Sequence, residues 1–293
     1  MIKKGALIIA LFSLFLSAQT FAQGLEGELQ KYMTGGEYLI PQAGNVSEAE
    51  ELFLGLFNSG PAEISINKLA VLGFEYLTAT EGGREYYIIG EREEFRQGRG
   101  VYVVADSPEL PVLIQVPHSF SDFDTDRIGM KLFRSGLFSA AAWNTLPRHA
   151  VSESESYDLA HEAVSYFNAF GKAFVKFRPY GYVLQLHGFN SNNRKTGAGR
   201  RAGMIVSDGT ASPSDKLIRL TRCLQMKMDY PVYIYPYQVQ ELGATTNEQG
   251  KALRALGNEG FVHLEMSREA RRGLLDKNKD MEGFSACLMR YLR

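Results

Sequence analysis

The chain has 293 residues, with 32 Lys and Arg against 33 Asp and Glu. That balance supplies no net field to hold nucleic acid or an anionic membrane surface, so neither is an expected partner. A hydrophobic content of 45%, with 18 Phe and 15 Tyr, is enough for a large core and rules out global disorder.

Lys3 and Lys4 precede an apolar run from Ala6 to Leu16, followed by small and polar residues to Gln23. This is the pattern of a secretory signal peptide with Thr20-Phe21-Ala22 at the cleavage site, and the run falls short of the roughly 20 residues that span a bilayer. The expectation is a leader over residues 1–22, a mature chain starting at Gln23 and a periplasmic or secreted location, with no membrane contact after cleavage. An uncleaved anchor is the alternative. Cys223 and Cys287 stand far apart, which excludes a CxxC zinc site and leaves either a disulfide or two buried thiols.

Ala49 to Phe57 carries a helical pattern that stops at Asn58-Ser59-Gly60-Pro61. Between Ala70 and Glu93, β-branched and aromatic runs broken by Glu81-Gly82-Gly83 predict a hairpin. Residues 23–98 therefore read as a small N-terminal α+β region without histidine, and 99–293 as the catalytic domain. After Gly100 short apolar runs alternate with amphipathic segments, the signature of an α/β sheet. Expected strands are Val101 to Ala105, Val112 to Val116, Tyr182 to Leu186, Met204 to Val206, Val232 to Tyr235 and Phe261 to Leu264. Expected helices are Asp126 to Arg134, Ser156 to Lys176, Ser214 to Lys227 and Asn247 to Leu256. Asn190 to Arg201 reads as an exposed loop.

In α/β sheets the ligand site lies beyond the carboxyl ends of the strands. Two apolar runs end there in histidine, at His118 and His187, and Asp122, Asp124 and Asp126 follow the first. Two imidazoles and one carboxylate are the ligand set of an open catalytic zinc site, and zinc suits these nitrogen and oxygen donors better than calcium or magnesium does. Either of the later aspartates also suits a helix N-cap. Glu265, at the end of the last strand, is placed to take a proton from water and pass it to a leaving group. Asn144 and Arg148 offer a fork for a substrate carboxylate or carbonyl, and His161 either orients substrate or is structural. His149 and His263 read as structural, with His263 two residues from Glu265 on one strand face and so a candidate support for it.

From about Val112 to Arg268 the chain resembles the zinc-peptidase-like hydrolases, particularly N-formylglutamate amidohydrolase-like proteins and, more distantly, poly-gamma-glutamate hydrolases and zinc carboxypeptidases. The matching segments are Val116-Pro117-His118-Ser119, Thr125-Asp126-Arg127, Leu146-Pro147-Arg148, Leu184-Gln185-Leu186-His187, Ser207-Asp208-Gly209-Thr210 and His263-Leu264-Glu265-Met266-Ser267. The resemblance implies a mixed, mainly parallel sheet flanked by helices, Zn2+ on His118 and His187, and Glu265 as general base. Asp122-Phe123-Asp124-Thr125 looks like the acidic turn that supplies the third ligand in poly-gamma-glutamate hydrolases, which selects Asp122 and keeps Asp126 in reserve. The Asp-x-Asn-Arg sequence of the amidohydrolases is lacking between Trp143 and Val151, and residues 23–98 are not covered. The expected function is an exported zinc-dependent hydrolase of an amide or peptide bond, acting on a small molecule, peptide or cell-wall fragment. The competing readings are a non-catalytic binding protein on the same fold and a metal-dependent esterase.

Overall fold

The computed structural model describes residues 24–60, 66–148 and 158–293. The expected leader and His149 lie outside them. Among the described residues, nine strands form one sheet: β1 (Phe74–Glu81), β2 (Arg84–Glu91), β3 (Val101–Ala105), β4 (Leu110–Val116), β5 (Phe138–Trp143), β6 (Tyr182–Phe189), β7 (Met204–Ser207), β8 (Val232–Ile234) and β9 (Phe261–Ser267). Their spatial order is β1-β2-β3-β5-β4-β6-β9-β7-β8. The centre, β5-β4-β6-β9, is parallel, as is the β7-β8 pair; β1, β2, β3 and β5 pair antiparallel, as do β9 and β7. The protein is thus an α/β fold on a mixed sheet. The hairpin expected between Ala70 and Glu93 is β1-β2, and it extends the same sheet through β3.

Helices cover both faces, as the parallel centre of the sheet requires. On one face lie α1 (Leu25–Gln30), α4 (Thr125–Phe133), α7 (Asp215–Lys227), α9 (Arg268–Asp276) and α10 (Asn278–Tyr291). On the other lie α2 (Ala43–Ser59), α3 (Ile66–Val71), α5 (Tyr166–Phe177) and α8 (Glu248–Ala255). A short α6 (Gly197–Arg201) falls in the segment expected to be loop. The second face is rich in aromatic side chains, with Phe53 and Phe57 of α2 against Phe170 and Phe174 of α5. Cys223 of α7 and Cys287 of α10 form a disulfide on the first face, with Cα atoms 5.8 Å apart.

Three boundaries differ from expectation. The helix predicted from Ser156 starts at Tyr166, because the Ser165 side chain accepts the Asn168 N–H and caps it there, and Leu159–His161 is a separate 3-10 turn. β9 continues through Ser267, so Glu265 stands within the strand rather than beyond it. β5 was not foreseen: its sequence, Phe-Ser-Ala-Ala-Ala-Trp, has little of the β-branched character that marks strands, and its alanines are wholly buried between helical layers.

Candidate metal centre

In the sheet, Gln115 lies opposite Gln185, Gln185 opposite His263, and His187 opposite Glu265. Side chains alternate along a strand, so Gln115, Gln185, His187, His263 and Glu265 project from the face on which Leu113, Val183 and Phe261 meet α5. The neighbouring positions Ile114, Leu184, Leu186, Val262 and Leu264 fill the opposite face. His118 follows β4 by two residues, in a turn whose Ser121 and Asp122 N–H groups donate to the His118 carbonyl. That turn brings the Asp122 carboxylate back beneath its own imidazole.

His118 Nδ1 lies 3.2 Å from Asp122 Oδ2 and 3.1 Å from His187 Nδ1, and His187 Nδ1 is 3.6 Å from the same oxygen. Asp122 Oδ2 also accepts the Gly188 N–H at 2.9 Å. All three side chains are buried, and their ligand atoms lie within 4.8 Å of one another. On its far side His118 Nε2 meets Asp158 Oδ1 at 2.8 Å, while Arg148 donates Nε–H and Nη2–H to Asp158 Oδ2. A proton on Nε2 shared with Asp158 leaves the Nδ1 lone pair facing Asp122 and His187, the outer support expected of a metal-binding imidazole.

The electrostatics favour positive charge at this point. Burial opposes ionisation of Asp122 and Asp158, yet hydrogen bonding to the imidazoles, with the Arg148 charge at Asp158, holds both carboxyls far below their ordinary range. Burial alone would lower His118, but these two carboxylates outweigh it and push its pKa up. His187, buried and beside His118, falls to about 4 despite Asp122. Nitrogen and oxygen donors converge on one point between ionised carboxylates, an arrangement that suits a divalent cation.

His187, His263 and Glu265 form a second grouping with one ligand atom each within 4.8 Å. His263 Nε2 is 3.8 Å from Glu265 Oε1, whereas His263 Nδ1 and Glu265 Oε2 are buried without a hydrogen-bond partner. Burial, reinforced by the Asp122 charge, raises the Glu265 carboxyl to about 8. These residues line a cleft of about 500 Å³ together with His118, Arg148, His161 and Asn247. A groove of about 1110 Å³ adjoins it across Gly188 to Asn190, with Asp122 in its wall.

The structure therefore brings His118, His187 and Glu265 to one cleft, with Asp122 against the two histidines from the wall of the adjoining groove and Arg148 and His161 in the cleft lining. His161 is half exposed, and its Nδ1 meets the Thr246 carbonyl at 3.3 Å. Asn144 is a correction: it is wholly buried, its Nδ2 donates to the Pro117 and Leu146 carbonyls and its Oδ1 accepts the Leu146 N–H, so it clamps two loops and cannot reach substrate. Asp124 occupies the α4 N-cap position without a capping bond and pairs with Arg127, while Asp126 sits in the first turn of that helix, away from both histidines. Asp158 and Gln185 were missed. The first fell inside the segment expected to be helix from Ser156 to Lys176, where an acidic residue reads as part of a solvated face; the second left a signal, an amide inside an apolar strand two residues before a histidine.

The fold and the cluster define an α/β protein with a buried His/Asp/Glu centre able to hold a divalent cation. No family model matches the chain, and no curated protein matches it. Among solved structures it is similar to a zinc-free apo form of YndL, at 14% identity over 66% of this chain and 89% of that one, with a TM-score of 0.40. It is also similar to a bacteriophage poly-gamma-glutamate hydrolase (11% identity, 65% and 87% covered, TM-score 0.40) and to an aspartoacylase family protein from Mesorhizobium loti (9%, 73% and 70%, 0.42). Overlap this partial leaves the function to the chemistry of the side chains.

Proposed function

We propose that the protein is an exported zinc-dependent hydrolase that cleaves an amide or peptide bond. The observation that carries this reading is the meeting of His118 Nδ1, His187 Nδ1 and Asp122 Oδ2 beside a cleft into whose wall the buried Glu265 carboxyl is set, its Oε2 without a partner. His118, Asp122 and His187 would hold the zinc ion, which would supply Lewis acidity to lower the pKa of water and polarise a carbonyl. Glu265 then takes the proton of the attacking water and returns it to the departing nitrogen. Burial holds its carboxyl above the ordinary range, which favours taking up the proton before it is returned to the leaving group. Asp158 keeps His118 oriented, and Arg148 and His161 orient the substrate at the cleft mouth.

The adjoining groove gives room for a substrate longer than one amino acid, such as a peptide or cell-wall fragment. Export is supported by the leader pattern and by the disulfide, a bond favoured in oxidising compartments. Among the described residues no helix is long and apolar enough to cross a membrane.

The test is metal content by mass spectrometry on protein purified without added metal, for the wild type, His118→Ala and His187→Ala. One zinc per chain, lost in both variants, is the expected result. A folded wild type that takes up no zinc when it is supplied would sink the proposal.

A further inference from the structure

We propose that Gln185 is a positioning residue that holds His187 with its proton on Nε2 and its Nδ1 lone pair toward Asp122, and that the turn at Asp158 to His161 anchors both imidazoles. This rests on the reading of His118, Asp122 and His187 as a metal centre. It starts from a row of buried amides that hydrolysis does not itself require: Gln115, Gln185, Gln249 and Asn247 are all nearly or wholly inaccessible. Buried polar groups are costly unless paired, and three of the four, Gln185, Gln249 and Asn247, bond to one another and to backbone, so their pairing pattern is specified.

The direction of every bond follows from backbone groups, whose roles are unambiguous, whereas an amide by itself can be turned either way. The Leu159 carbonyl can only accept, so Gln249 faces it with Nε2 at 2.9 Å and turns its Oε1 to Gln185 Nε2 at 3.3 Å. The Gly250 N–H can only donate, so Asn247 faces it with Oδ1 at 2.9 Å and turns its Nδ2 to Gln185 Oε1 at 2.6 Å. Two independent anchors thus agree that Gln185 presents oxygen on the side where His187 Nε2 lies at 2.9 Å. A bare ring nitrogen 2.9 Å from that oxygen would set two lone pairs against each other, so Nε2 carries the proton and donates it to the second lone pair of Gln185 Oε1, beside Asn247, which leaves the lone pair on Nδ1.

The two supports have a common origin. Asp158 itself receives His118 Nε2–H, and Leu159, the next residue, supplies the carbonyl from which the chain runs through Gln249 and Gln185 to His187. One turn therefore sets which nitrogen each histidine offers. A carboxylate does this for His118 by charge, and an amide does it for His187 without adding a second negative charge beside Glu265.

The experiment reads the His187 tautomer by long-range proton–nitrogen NMR on metal-free protein in mildly alkaline buffer, alongside a zinc titration. The wild type is expected to show the Nε2–H form. Gln185→Leu, which removes the acceptor, should populate the Nδ1–H form and weaken zinc binding about 10- to 100-fold, the usual effect of losing an outer partner. Gln185→Glu retains an acceptor and should retain the wild-type tautomer. Should Gln185→Leu fail to fold, Gln185→Met, which also lacks an acceptor and has nearly the shape of Gln, replaces it with the same direction of change expected. An Nδ1–H form in the wild type, or an unchanged tautomer in whichever of the leucine and methionine variants folds, would overturn the inference. Because the tautomer is read without zinc, a chain that binds no metal would remove the metal centre while this result still decided the role of Gln185.

Discussion

The two faces of β4, β6 and β9 are built from alternate residues of the same strands, yet they do opposite things. One face presents Ile114, Val116, Leu184, Leu186, Val262, Leu264 and Met266 to a continuous apolar core. The other carries Gln115, Gln185, His187, His263 and Glu265, all buried, with His263 Nδ1 and Glu265 Oε2 left without partners. Unpaired buried groups cost about 1–3 kcal/mol each. Within these three strands that cost falls on one face, near the strand ends, one residue away from apolar burial.

That contrast can be broken on the polar side first. Glu265→Gln should lower hydrolysis of acyl-amino acids or peptidoglycan fragments by about 10²- to 10⁴-fold while zinc content is unchanged. Turnover at the wild-type rate would take Glu265 out of the mechanism. One residue earlier in the strand, Leu264→Ala should do the reverse, costing about 2–5 kcal/mol of stability in urea unfolding with metal stoichiometry preserved.

The apolar face is also where the disulfide lies, joining α7 to α10 across a separation of 64 residues. Replacing both Cys223 and Cys287 by Ser should cost about 2–4 kcal/mol, read by urea unfolding under non-reducing conditions. A metal affinity that fell in parallel in the still-folded variant would show that the two faces are coupled.

The smallest effect is expected on the polar face far from the centre, where Glu50 of α2 is paired with Lys172 and Lys176 of α5. Burial pushes the Glu50 carboxyl up, but the two ammonium groups prevail and hold it below its ordinary 4.5. A carboxyl whose pKa is depressed on folding stabilises the protein above the unfolded value and ceases to as pH falls through the folded one. Both lysines are partly in water, so Glu50→Gln should cost only about 1 kcal/mol at neutral pH. Urea unfolding should show the mutant and wild type converging under acid conditions; a gap that stays constant with pH would exclude the ion pairs as its cause.

The same contrast explains what could be read in advance. Strands that combine β-branched residues with a sharp polar stop, such as Val112 to His118 and Tyr182 to His187, were visible from pattern alone, and so were the two histidines at their ends. β5 was invisible because alanine carries no strand signal, and α9 and α10 went unforeseen at the chain's end. At the centre, the resemblance selected Asp122 over Asp126, while the physical reason, a turn whose backbone bonds close on the His118 carbonyl, is not encoded in spacing. Asn144 misled because a polar residue after a strand suits a binding fork and a loop clamp equally, and only burial separates them. Asp158 acts on a histidine 40 residues away, a pairing that exists only in the folded chain.

The order of the strands also bears on how the protein avoids its own kind. A sheet of nine strands has two open borders, each a template onto which another chain can stack and propagate into an aggregate. Here one border is β8, three residues long and too short to recruit a stable partner strand. The other is β1, where Glu75 receives Tyr32 and Glu81 receives Arg134 and the Leu25 N–H, so charge and the overlying α1 segment guard the side from which growth would start.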